Sequence, residues 1–152
     1  MRTKEQNANL EKLANYLLAL PEDYEHFDMG NFYYLEGFDE FTVPELRSAN
    51  NYKELIKLNK CGTAACAVGH GPAAGIPLLN FKSWWSYSNK SFTGNDLEWA
   101  WCFGGEWEGV DDTPKGAGVR IKALLGGYSL NELDINAITE GYYLEALEEK
   151  YL

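Results

Sequence analysis

The chain has 152 residues, 45% of them hydrophobic and 14% aromatic, and a net charge of −10 from 23 Asp and Glu against 13 Lys and Arg. That length and apolar content suit one globular domain with a real core, and exclude a disordered chain. The acid surplus argues against general nucleic-acid binding, which needs basic surface for phosphates, and against anionic membranes; it favours a basic protein partner or mimicry of a polyanion.

Three cysteines cannot form a complete disulfide set. Met1 to Asn7 leads into an amphipathic pattern rather than an apolar signal core, and there is no uninterrupted apolar run of about 18 residues. A reducing cytoplasm with free thiols is expected.

Residues 5–20 read as a helix with Leu10, Leu13, Ala14, Leu17 and Leu20 on one stripe, stopped by Pro21. From Glu22 to Glu45 there are eight acids and no base, interleaved with Tyr24, Phe27, Phe32, Tyr33, Tyr34, Phe38 and Phe41. The mixture has no clean period and reads as an irregular, aromatic-anchored segment with a short strand at 31–35. A helical turn is expected at Val43 to Leu46 and a short helix at Tyr52 to Leu58.

Lys60 to Pro72 follows, the one place where two cysteines, a histidine and a run of tiny residues meet. Ala64 to Val68 is small and uncharged on every side, which predicts a buried central helix at about 63–69, with His70 at its C-terminal end. Phe81 to Phe92 is aromatic and serine-rich and reads as a strand or a loop. Thr93 or Asn95 caps a helix running to about Phe103, with Leu97, Ala100, Trp101 and Cys102 inward. Glu106 to Asp112 is an acidic loop holding Trp107. Thr113-Pro114 starts a helix carrying Ala117, Ile121, Leu124 and Leu125, stopped at Gly126-Gly127. A last helix covers about 136–150. The fold class is mainly α with a small amount of strand, in a single compact domain over 1–152.

Charge is segregated. Residues 22–45 carry −8 and 95–112 carry −6, while 47–90 carry +5. Acidic and basic blocks either neutralise each other in the fold or leave an exposed acidic, aromatic-bearing face. Its candidate binding residues are Asp39, Glu40, Glu106, Trp107, Glu108 and Asp111.

Two chemical sites are open beside plain packing. Cys61, Cys66, His70 and Cys102 make a Cys3His set that zinc accepts, although C-x4-C-x3-H is wider than usual knuckle spacing. Cys61 just ahead of a helix is a candidate nucleophile, loosely resembling the Cys-Gly start of papain-like peptidases, with His26 or His70 as base. On a continuous helix His70 would lie about 13 Å along the axis from Cys61, too far for a hydrogen bond. The packing alternative takes the small residues as a close-approach surface and the cysteines as small hydrophobes, with no cofactor. No phosphate loop, dinucleotide fingerprint, EF-hand loop or Gly-x-Ser-x-Gly elbow occurs.

Cys61-Gly62-Thr63-Ala64-Ala65-Cys66-Ala67-Val68-Gly69-His70, Phe27-Asp28-Met29, and Trp101-Cys102-Phe103 through Thr113-Pro114 to Arg120-Ile121 form a set. It resembles small bacterial and phage proteins with a CGTxAC-x-x-GH segment and a late TP-x-x-A-x-x-RI helix, and covers residues 8–127. The resemblance implies no activity. A phage or prophage origin would suit a non-catalytic interaction protein, such as an inhibitor of a host protein.

Overall fold

The computed structural model describes residues 1–25, 27, 34–35, 63–64, 67–77, 84–104, 113–130 and 143–152. Within them the chain is mainly α. The elements are α1 (Lys4–Leu18), β1 (Tyr34–Leu35), β2 (Thr63–Ala64), α2 (Trp84–Ser91), α3 (Asp96–Phe103), α4 (Pro114–Leu125) and α5 (Tyr143–Tyr151). The expected segments at 43–46 and 52–58 lie outside the described residues.

The leucine stripe dictates α1. Leu10, Leu13, Ala14 and Leu17 are fully buried, and Thr3 closes a capping box with Gln6. The Gln6 backbone N–H donates to Thr3 Oγ1 at 3.0 Å, and the Thr3 N–H donates to Gln6 Oε1 at 2.9 Å. The helix stops at Leu18 rather than Leu20, because Pro21 disfavours helical backbone in the residue before it.

The small-residue central helix is not at 63–69. Thr63–Ala64 is a strand, antiparallel to β1 with Tyr34 opposite Ala64, and residues 67–75 form a run of turns. Those turns end in a Schellman motif. The Ile76 N–H donates to Gly71 O and the Gly75 N–H to Pro72 O, both at 3.0 Å, with Gly75 left-handed at φ +89°.

The buried, close-packed helix is instead α4. Gly116 to Ile121 are all buried, as are Ala123 and Leu124. Helix α4 packs chiefly against α1, with α5 and α3 also on it. At Gly118 an added Cβ would lie 2.7 Å from Leu18 Cγ and 3.3 Å from Ala14 O, so a hydrogen atom is what lets the two helices meet there. Gly126 does the same against the Tyr151 ring of α5. The predicted signals hold: Thr113 Oγ1 accepts from the Gly116 N–H at 3.0 Å, with Pro114 at the first position. A second Schellman motif closes α4 through left-handed Gly127 (φ +92°), with the Tyr128 N–H donating to Ala123 O at 2.9 Å.

Residues 84–91 are helical, not a strand or loop. The stripe is Trp84, Tyr87, Ser88 and Ser91, all buried at helical spacing, and two of the four are serines, so the period is hidden from hydropathy. The last carbonyls of α2 are capped from α1: Gln6 Nε2 donates to Asn89 O at 3.1 Å, and Asn9 Nδ2 to Ser91 O at 2.9 Å. Asn95 caps α3, its Oδ1 accepting from the Glu98 N–H at 3.0 Å. Thr93 Oγ1 donates to Glu98 Oε2 at 2.6 Å, and Arg2 pairs with the other oxygen of the same carboxylate. Trp101 Nε1 donates to Arg120 O at 2.8 Å and Arg120 Nε to Trp101 O at 3.0 Å, a reciprocal bridge between α3 and α4.

Replacing Gly118 with valine is expected to lower stability by about 1–3 kcal/mol, because the Leu18 side chain and the Ala14 carbonyl leave no room. Urea unfolding of Gly118→Val against the parent chain checks this; an unchanged midpoint would mean that α1 and α4 separate without cost.

Candidate functional site

His70 and Cys102 are the site residues anticipated from the sequence that fall among the described residues. Cys61, Cys66, His26, Asp39, Glu40, Glu106, Trp107, Glu108 and Asp111 lie outside them.

His70 sits in the turn run before the Schellman motif, its carbonyl accepting from the Ala74 N–H at 2.9 Å. It therefore has no helix dipole beneath it, contrary to expectation. Its ring is fully buried in an aromatic box. Tyr24 stands edge-on at 5.5 Å between centroids, Phe27 lies tilted at 5.4 Å, and Tyr16 of α1 approaches at 6.4 Å. A hydrogen bond of 2.9 Å joins Tyr24 Oη and His70 Nε2. Burial pushes the Tyr24 phenol above its ordinary range, with Tyr16 adding to the effect, and burial also raises Tyr16. Both phenols therefore stay protonated at neutral pH.

The box explains how the segment after α1 is held. Tyr24 and Phe27 turn in onto His70, while Glu22, Asp23 and Glu25 between and before them are exposed. This is the described start of the acidic aromatic block, with aromatics inward as anchors and acids outward. His70 is the group they are anchored to.

Cys102 lies in α3 between Trp101 and Phe103 and is fully buried. Burial pushes its thiol up to about 12, against a smaller opposing pull from the Arg120 guanidinium. A thiol so placed is a poor nucleophile and a poor metal ligand, since both roles need the thiolate. Among the described residues no group of three or more His, Cys, Asp or Glu stands together to hold a metal.

One surface was not anticipated. Trp84 and Trp85 are neighbours on α2, about 100° apart around the helix, so only one can face the core. Trp84 is fully buried and Trp85 is 53% exposed. Trp85 rests on half-buried Trp99 of α3, with ring centroids 4.9 Å apart and planes at 47°. The Trp-Trp pair was the available signal, but it becomes informative only once residues 84–91 are known to be helical.

Charge in the described part is largely balanced. Ten of the 23 acids and eight of the 13 bases fall there. Three acids are paired: Glu98 with Arg2, Glu11 with Lys122, and Glu148 with Lys115. Most of the net charge of −10 belongs to the rest of the chain. No described helix is long and apolar enough to cross a membrane.

Comparison with protein-family models, with curated proteins and with solved structures finds no match.

Tyr24→Phe is expected to destabilise the fold by about 1–3 kcal/mol, since it removes the hydroxyl bonded to a buried imidazole. Chemical unfolding at neutral pH measures it, and no loss would show that the hydroxyl does not support the box.

Stability is also expected to fall in alkali. Cys102 is raised from 9.0, and Tyr16 and Tyr24 from 10.0, so the unfolded chain releases these protons first as pH climbs. Their contribution is complete below about pH 9 and declines above it. Urea midpoints across the alkaline range check the sign, and a midpoint that rises there would contradict it.

Proposed function

We propose that the chain is a non-catalytic interaction protein that presents an acidic surface to a basic protein partner in the cytoplasm. The observation that carries this is the alternation after α1. Glu22, Asp23 and Glu25 are exposed, while Tyr24 and Phe27 are locked onto His70. An anchored backbone displays charge at little conformational cost on binding, because its ordering is complete beforehand. The acids from Asp39 to Glu40 and from Glu106 to Asp111, with Trp107, extend the same chemistry along the chain. The resemblance to small bacterial and phage proteins favours a host-protein inhibitor, with the carboxylates standing in for a polyanion. The burial of His70 and Cys102 also favours this reading, because it assigns both to packing.

The test compares two variants of equal charge change. Glu22→Gln/Asp23→Asn/Glu25→Gln neutralises the anchored acids; Glu5→Gln/Glu145→Gln/Glu149→Gln neutralises exposed acids on α1 and α5. With poly-lysine as probe, the parent is expected to bind in a salt-sensitive way. The first variant should weaken binding about fivefold or more, and the second less than about twofold. Equal losses, or no binding by the parent, would overturn the proposal. So would alkylation of Cys61 faster in the folded chain than in the unfolded one, which would mark an activated thiol.

A further inference from the structure

The exposed Trp85 has no role in the core. Its neighbour Trp84 fills the core position, at 5.7 Å from Tyr87. Trp99 beneath it is held from behind, with its Nε1 donating to Ser88 Oγ at 2.9 Å and its ring packed edge-on against Phe103 at 5.7 Å. Two indoles thus meet at a 47° tilt, the lower one fixed and the upper one open to solvent. Asp96 is exposed three residues before Trp99 on α3, a spacing that puts the two on the same side of the helix. Lys90 is five residues beyond Trp85 on α2, well round the helix from it.

We infer that the Trp85–Trp99 surface takes an arginine side chain from an exposed segment of a protein partner. The charge pattern selects this occupant. Indole faces carry negative potential and attract cations, and tryptophan does so best among the aromatics. A guanidinium is flat, stacks on an indole, and can give its edge N–H groups to a carboxylate such as Asp96. An ammonium does the first less well and cannot make the planar fit. The inference rests on the reading of the chain as an interaction protein, and adds a second, separate surface with a named side-chain chemistry.

The experiment titrates the full chain with a short blocked peptide alternating arginine and glycine, alongside its lysine and citrulline counterparts, and follows the tryptophan indole N–H resonances. The expected result is a selective shift of Trp85 and Trp99 with the arginine peptide, smaller with lysine and absent with citrulline. Trp85→Ala should weaken arginine-peptide binding about five- to tenfold, and Asp96→Asn about threefold, with the unfolding midpoint unchanged. Asp96→Asn keeps the test decisive if the tryptophan variant folds poorly. Equal affinity for the arginine and lysine peptides, or unchanged affinity in both variants, would overturn the inference. Binding lost instead in Glu22→Gln/Asp23→Asn/Glu25→Gln would overturn it while upholding the acidic-surface proposal. Absence of binding to any cationic peptide or to poly-lysine would overturn both.

Discussion

The closeness of α1 and α4 sets the rest of the described structure. At Gly118 the two helices meet with room for a hydrogen atom and no more, and Leu10, Leu13 and Leu17 of α1 lie fully buried. Once α4 is enclosed there, its other sides must be covered too. Helix α5 covers one through the Tyr151 ring at Gly126, and α3 covers another through the Trp101–Arg120 bridge. The bridge matches the Nε and the carbonyl of buried Arg120 with a neighbour of fixed geometry. Aromatic contacts then extend the core: Tyr128 stacks on Trp101, Phe92 meets Phe103, and Tyr87 meets Phe92.

Among the described residues, the one histidine and the one cysteine serve this packing. Cys102 behaves as a small hydrophobe in α3, and His70 is the centre of an aromatic box. The box ties the turn run at 67–75 to α1 through Tyr16 and to the acidic segment through Tyr24 and Phe27. Its hydrogen bond makes the contact directional, so the segment is held in register as well as in place. Chemistry that would read as catalytic in an open cleft reads as architecture where rings close over it. What the anchors leave outside are the carboxylates between the inward rings and the indole pair on the α2–α3 corner, the two surfaces proposed above to meet a partner.

Much of the helical part was legible in the sequence. The α1 stripe, the Thr113-Pro114 start, a cap at Thr93 or Asn95 (the structure uses Asn95) and the stop at Gly126-Gly127 each rest on local chemistry, and local chemistry decided them. The principle that small residues mark a close approach holds in two places: Ala67 and Val68 are fully buried and Tyr87 leaves no room for a Cβ at Gly71, although that segment folds as turns and not as a helix. In α4 the same signal, Gly116-Ala117-Gly118, was masked by flanking lysines and an arginine that looked solvent-facing. Arg120 is in fact buried, which no periodicity could show, because its partner Trp101 is brought to it by the fold. The serines of α2 hid a helix in the same way: the buried Ser88 hydroxyl donates to the Trp85 carbonyl and accepts from Trp99 of α3, a partner the fold brings to it. Of the candidate site, the anchoring role of the half-buried Tyr24 and Phe27 was legible from their being aromatics among acids. Their common target, His70, is distant in sequence and had no local signature.

The capping of α2 by Gln6 and Asn9, and the burial of the α1 stripe by α4, have a bearing on synthesis. About 100 residues separate Leu18 from Gly118, and at about 5–20 residues per second translation takes about 5–20 s to bridge them. Through that interval Leu10, Leu13 and Leu17 have no α4 to lie on. The burial of a leucine stripe near one end of the described fold thus waits on a helix synthesised about 100 residues later.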